Sequence, residues 1–449
     1  MSIPKYKLFL VFLLANLIFQ FEVSGQVVIN EISCSNRNII ADNYGEYEDW
    51  IELYNTGVSP VNLGGYYLSD KLSNTMKWPV PPGVTIPANG RLMFYASGKN
   101  LQAGSYLHTN FKLTQTKYEY VILASPFGSI IDTIRLNPAQ LNHSLGRTTD
   151  GAASWGVFKV PTPGTANTGA YTKYADKPVV SLPAGFYLVS ATVALTTTEP
   201  SSQIRYTLNG MEPGITSTLY SAPITITTTS VLKAATFSTN PLVLQSFMEI
   251  NTYFINVNHA LPVVSIADDS LDNLLNGNGA LLPVGSIEYF GADKLLKTKA
   301  IGDFNKHGQD SWVNDQRSVD CIIRDQYGYN YALIHPIFSS SSKPEFQRIM
   351  LRAMGDDNYP DASGYTWGPG PAHIRDPYVH TLSVLGNMSM DERTYESAIV
   401  YVNGQYWGVY GIREKNIDAD YTEYYYNQRE PDLQYIMTWG GTWAEYGGA

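Results

Sequence analysis

The chain has 449 residues, 44% hydrophobic and 13% aromatic, enough apolar material for several packed domains and too much for a disordered polymer. Charged residues make up 16% and the formal net charge is −10, with no run of Lys and Arg to meet a phosphate backbone, so nucleic acid is excluded as a partner. The 33 tyrosines suit the half-exposed strand faces of a β-rich protein working outside the cytoplasm.

Residues 1–25 read as a signal peptide. Lys5 and Lys7 precede an apolar stretch from Leu8 to Phe21, and Val23-Ser24-Gly25 places small residues before Gln26. That stretch is short for a bilayer span of ~20 residues, and no later segment is apolar enough for one. A secreted or cell-surface protein with no membrane span after signal cleavage is expected. Cys34 and Cys321 fall in separate predicted domains without a histidine cluster beside either, so both are expected to stay unpaired and metal-free.

From Gln26 to about Asn167, short strand signals alternate with turns. Val27-Val28-Ile29, Trp50–Tyr54, Leu92–Tyr95, Tyr120–Leu123 and Ile130–Ile134 are separated by Asn55-Thr56-Gly57, Pro81-Pro82-Gly83 and Ala88-Asn89-Gly90. This spacing predicts a sandwich or small barrel. The segments INEI (29–32), DWIELYN (49–55), VNLGGYYLSD (61–70), FKL (111–113) and SPFGSIID (125–132) resemble a lamin tail domain. HSLGR (143–147) and PTPGTAN (161–167) resemble the closing segment of its secreted bacterial versions. The resemblance implies an immunoglobulin-like sandwich over 26–168 and no enzyme. Asp49, Glu52 and Asp70 invite a calcium or acid/base reading, but lack the close alternation and glycine turn of a calcium loop; they read as turn caps on a solvated face.

After a Pro/Gly/Thr-rich join at 161–178, a second β pattern fills 178–256. Ile204, Tyr206 and Leu208 alternate with polar residues, and Asn209-Gly210 predicts a tight turn between strands. The segment 204–237 resembles the small C-terminal sandwich of chitobiases and β-hexosaminidases, with Asn209 where Asp is commoner. That implies a second immunoglobulin-like, non-catalytic spacer or accessory module, in which Tyr206 and Tyr220 are core rather than a sugar platform. A glycan-processing enzyme would need two carboxylates flanking a sugar, which the module does not supply.

Over 258–449 the pattern becomes α+β. Leu261–Ile266 is a strand, Asp376-Pro377 opens a helix carrying Tyr378, Leu382 and Leu385 at helical spacing with Gly386 ending it, and Asn403-Gly404 closes a hairpin. LPVVSI (261–266), IEYF (287–290), HGQDSW and QRS (307–318), RDQYG (324–328), FQRIMLRAMGDDN (346–358) and YVNGQYWGVYGIREKNID (401–418) resemble the CotH kinase-like family in this order. The resemblance implies an atypical kinase fold, with ATP and Mg²⁺ as cofactors by family likeness alone. It places Arg317, where the family has lysine, and Glu414 at the nucleotide. The alternatives are an Arg317 covering a strand edge and a Glu414 paired with Arg413 or Lys415. Gly308 and Ser311 are weak candidates for a phosphate-covering loop. Asp356-Asp357 and Asp418–Asp420 read as solvated turns rather than metal sites.

The family's metal-binding and acceptor-orienting aspartates belong to a later helical lobe. The stretch from Asp418 to Ala449 is too short for it, so no catalytic and no metal residue is assigned, and the sequence is expected to be a fragment unable to transfer phosphate. The expected protein is therefore two β-sandwiches followed by an incomplete α+β kinase-like domain. The alternative is a non-enzymatic adhesion protein whose partner is an extracellular protein or glycan.

Overall fold

A computed structural model describes residues 26–308, 312, 314–357, 372–388, 390–438 and 441–446. The expected signal peptide, Ser311 and the side chain of Asp356 lie outside the described residues. Strand predominates throughout, and no described helix is long and apolar enough to cross a membrane.

The first unit is a two-sheet sandwich. A seven-stranded sheet runs in the order Trp155–Phe158, Ser144–Arg147, Val27–Ser33, Trp50–Asn55, Arg91–Tyr95, Tyr106–His108 and Leu101–Ala103. A four-stranded sheet of Ile130–Arg135, Tyr120–Ala124, Tyr67–Ser69 and Trp78–Pro79 faces it. Alternate residues point to the shared interior: Ile29, Leu53 and Phe94 from one sheet meet Leu68, Val121 and Leu123 from the other, all fully buried.

Asp49, Glu52 and Asp70 correct the expectation of a solvated face. Glu52 is fully buried, accepting hydrogen bonds from Asn30 Nδ2 at 2.9 Å and the Gly164 amide at 2.7 Å. Asp70 is buried against Lys77 at 2.7 Å, and half-buried Asp49 accepts from the Leu113 amide at 3.3 Å. They fasten strands to loops, so their polarity serves the interior rather than the surface.

The join at 161–178 is no free linker. Tyr171 bridges Val157, and Lys173–Tyr174 pairs in parallel with Val243–Leu244 of the second unit. That unit has a five-stranded sheet in the order Gly185–Tyr187, Glu249–Ile255, Ser230–Ser238, Ser202–Thr207 and Thr218–Leu219, with the pair Ala191–Val193 and Ile224–Ile226 across its core. Tyr206 and Tyr220 pack against that core, as expected.

The third unit is a closed seven-stranded barrel: Val263–Ala267, Val284–Phe290, Leu296–Lys306, Val319–Ile323, Arg348–Arg352, Gln405–Glu414 and Glu396–Val402, which returns to the first strand in parallel. Closure leaves no free edge in this sheet. Helix Leu271–Leu275, unread in the sequence, buries Leu271, Leu274 and Leu275 in the barrel core. Helix Arg375–Leu385 forms where expected, but differently fastened. Asp376 makes no cap; it faces Arg413 at 2.6 Å and Arg352 at 3.2 Å. Tyr378, Leu382 and Leu385 point outward, 60%, 48% and 74% exposed, so their helical spacing does not mark a core face. Helix content is low, and the α+β balance expected for this region is tilted heavily toward strand.

Two Asn-Gly pairs of the same chemistry do different things. Asn403-Gly404 closes the predicted hairpin, with φ of 51° and 80°. Asn209-Gly210 does not: strand Ser202–Thr207 reaches its partner Thr218–Leu219 only after the loop 208–217. Instead Gly210 lies against the barrel, where an added Cβ would meet the Ala267 Cβ at 2.8 Å and Asn403 Oδ1 at 2.9 Å. The two turns meet across the interface at Gly210 and Asn403, and a Cβ on Gly404 would lie 3.3 Å from Ser230 Cα of the second sandwich.

All three units are joined by such contacts. Arg37 of the first sandwich pairs with Asp303 of the barrel at 2.7 Å, and the Gln115 amide donates to Asp325 Oδ2 at 2.7 Å. From the second sandwich, Glu249 pairs with Lys299 at 2.9 Å, the Met248 amide donates to Tyr329 Oη at 2.8 Å, and Thr252 Oγ1 donates to Glu288. Phe254 packs edge-on against Phe290 and Tyr401. Tyr174 Oη accepts from the Gln140 amide at 2.9 Å and stacks its ring on His143, pinning the join itself. Cys34 and Cys321 are buried and free.

Candidate functional site

Strand Gln405–Glu414 carries the sequence-predicted Glu414 at its end. Tyr410 and Ile412 lie in the barrel core; by the two-residue period Glu414 shares their face and Arg413 takes the other. Glu414 is 2% exposed, and its partner is neither Arg413 nor Lys415. Lys343 Nζ reaches Glu414 Oε1 at 2.7 Å and Asp420 Oδ2 at 2.8 Å, and is itself 2% exposed. It also donates to the Asp420 carbonyl at 3.3 Å, so its donors are fully used. The rings of Phe346 and Tyr424 lie 5.3 and 5.6 Å from the ammonium, closing it from water. Burial raises the Glu414 carboxyl above its ordinary range, against the opposing pull of Lys343. Burial also works against the Lys343 charge, but Asp420 and Glu414 overcome it and hold its pKa above normal.

A second ion cluster adjoins the first. Arg348 bridges Asp320 at 2.6 Å and Asp418 at 2.9 Å, while His307 Nδ1 lies 2.9 Å from Asp320 and Lys415 Nζ 3.4 Å from it. Against the cost of burial, His307, Lys415 and Arg348 hold the Asp320 carboxyl well below the usual carboxylate range. Asp418 caps helix Ala419–Tyr426 by accepting from the Asp420 amide at 3.1 Å. The predicted solvated turns are thus corrected. Asp418 is 1% exposed and Asp357 7%, the latter accepting from the Ala372 and Arg375 amides. Both are buried because each completes a helix or loop that the barrel alone leaves unsatisfied.

Arg317 lies elsewhere. Its guanidinium donates to the carbonyls of Trp312 at 2.9 Å and Leu275 at 2.9 Å, tying the entry of strand Val319–Ile323 to the barrel's short helix. Among the described residues Arg317 and Glu414 share no partner, and the geometry gives Arg317 a fastening role that leaves little for a phosphate. Gly308 sits at φ 103° beside the undescribed residues. Sequence reading missed Lys343, whose Ser-rich surroundings hold no motif and whose partners are 71 and 77 residues away.

Among the described residues, one carboxylate group has converging ligand atoms: Asp42, Glu46 and Glu48. Lys99 Nζ already occupies its centre at 3.0, 2.5 and 2.5 Å.

Residues 21–137 match the lamin tail domain family model. Residues 182–242 match the model of the chitobiase/β-hexosaminidase C-terminal domain. No curated protein matches the chain. The lamin tail match ends before strands Ser144–Arg147 and Trp155–Phe158, which complete its larger sheet. The chitobiase-type match ends before strand Glu249–Ile255, which supplies Glu249 and Thr252 to the barrel contact. The residues that join this chitobiase-type module to the barrel through that strand therefore lie outside the matched part.

Proposed function

We propose that the chain is an exported multidomain binding protein whose partner is an extracellular protein or glycan. The lamin tail and chitobiase-type modules support a binding rather than a catalytic role. The observation that carries the reading is their fixation: paired charges and aromatic contacts hold both modules against the barrel, so all three present one composite surface. On this reading the domains are 26–168, 178–256 and 258–449, the first two immunoglobulin-like, behind a cleaved signal at 1–25. Expression with the native leader should release protein whose N-terminal sequencing begins at Gln26, and this protein should sediment with insoluble polysaccharide or retain an extracellular protein. Retention of the full leader inside the cell would refute the export half; failure to associate with either partner class would refute the binding half.

One observation favours a second reading, the CotH-type kinase-like lobe. The buried Lys343–Glu414 pair has the form of the cation–carboxylate pair that phosphoryl-transfer lobes keep beside a nucleotide. In this reading Lys343 takes the place expected for Arg317, and Asp420 must yield for a phosphate to reach the ammonium. ATP with Mg²⁺ should then raise the melting temperature, and the shift should survive Arg317→Ala but not Glu414→Ala. Absence of any shift in the unaltered chain would sink the reading.

A further inference from the structure

Two cavities open where the three units converge, of about 310 and 490 Å³, and they adjoin across the shared walls Met248 and Tyr329. Each is of the size that takes a small ligand, and each draws walls from all three units. The smaller is lined by Thr116 and Tyr118 of the lamin tail unit and by Glu288 and Asn330 of the barrel. Thr116 Oγ1 is buried there with no hydrogen-bond partner among the described residues, a donor and acceptor left unspent. The larger is lined by Gln140 and Gln245 and by Glu212, Asp268 and Asp269.

The charge of these walls selects the ligand. Three carboxylates, Glu212, Asp268 and Asp269, line the larger cavity, whereas in the smaller one Glu288 is buried against Thr252 and the lysines Lys177 and Lys299 are both bound to Glu249 at 2.5 and 2.9 Å. Burial pushes His143, on the wall of the larger cavity, down to about 4, so it is neutral at physiological pH. A phosphate, sulfate or uronate therefore meets no lysine or arginine on the wall of the larger cavity, and in the smaller one only lysines already held by Glu249 and the Ile250 carbonyl. A metal ion is equally unsuited, because the converging carboxylate trio of the described residues lies in the lamin tail unit around Lys99. What remains is a surface of amides, carboxylates, hydroxyls and aromatic rings, which suits many hydroxyl donors and the C–H faces of a neutral sugar.

We infer that the junction of the three units is a binding cleft for a short neutral oligosaccharide, with successive sugars in the two cavities. The inference rests on the binding-protein reading and assigns its site. The test is calorimetric titration of the full chain with neutral glucan and N-acetylglucosamine oligomers, and with a uronic acid oligomer for comparison. Three variants sit on exposed positions: Tyr118→Ala, Glu212→Gln and Asp269→Asn. A neutral oligomer should bind, the uronic acid oligomer should not, and at least one variant in each cavity should weaken binding by roughly tenfold with its melting temperature unchanged. Binding of a neutral oligomer that all three variants retain would overturn the cleft while leaving the binding-protein reading standing. Preference for the uronate, or binding of none of the oligomers, would overturn the assignment of a neutral sugar; the protein-retention experiment then decides the broader reading separately.

Discussion

Replacing Lys343 by methionine is expected to cost about 3–5 kcal/mol of stability, among the largest effects of any single substitution in this chain. The cause is what is left behind rather than the bond removed. Glu414 is 2% exposed and its carboxylate would be stranded beside Asp420, with Tyr425 Oη at 3.3 Å the one other side-chain donor on it among the described residues. Methionine keeps most of the volume against Phe346, so lost packing contributes little. Urea unfolding should show the midpoint fall sharply in Lys343→Met and recover by more than half in the double variant Lys343→Met, Glu414→Gln. A single variant within about 0.5 kcal/mol of the parent would mean that the pair is not buried as described.

The second large effect is a loss of stability as pH rises toward neutrality. Glu52 and Glu288 are each pushed up to about 7, chiefly by burial, against hydrogen bonds that pull the other way. Their ordinary value is 4.5. Below that value both folded and unfolded chains hold the proton and neither residue penalises folding. Between there and pH 7 the unfolded chain ionises first, so stability falls, by on the order of 3 kcal/mol for each carboxyl. Asp320 acts in the opposite sense: its depressed carboxyl adds stability above its ordinary value of 3.8 and loses it as the pH falls. Glu288→Gln should match the parent near pH 4 and exceed it near pH 8, measured by urea unfolding across that range. An unchanged pH slope in this variant would contradict the assignment.

Some of this protein was legible in its sequence and some was not. Local signals translated well. Turn residues marked the strands of the first sandwich, and Asn403-Gly404 closed its hairpin because two left-handed residues suffice to define that turn. Identical letters at Asn209-Gly210 misled, because the reason for that glycine is a neighbour in another unit, the Ala267 Cβ. The helical spacing of Tyr378, Leu382 and Leu385 was correct as periodicity and wrong as burial, since periodicity fixes a face without saying what covers it.

The same limit governs the site. Glu414 stood out from a local motif, whereas Lys343 became its partner only through barrel closure, and Arg317 proved to hold backbone carbonyls instead of joining it. Of the carboxylates read as solvated, Glu52 and Asp418 are buried because a distant amide and a distant cation satisfy them, while Asp70 is held by the nearby Lys77. Sequence spacing does not report such long-range pairing.

The central claim is that the two sandwiches and the barrel are one fixed body with a cleft at their junction. Amide hydrogen exchange tests it most directly at three donors that cross between units or seal their contacts: Gln115 to Asp325, Met248 to Tyr329 and Thr252 to Glu288. Protection at these amides comparable to that of Ile51 and Val264 in the sheet cores is the expected result. Exchange at loop rates there, with the sheets still protected, would show three units moving independently and would contradict the account.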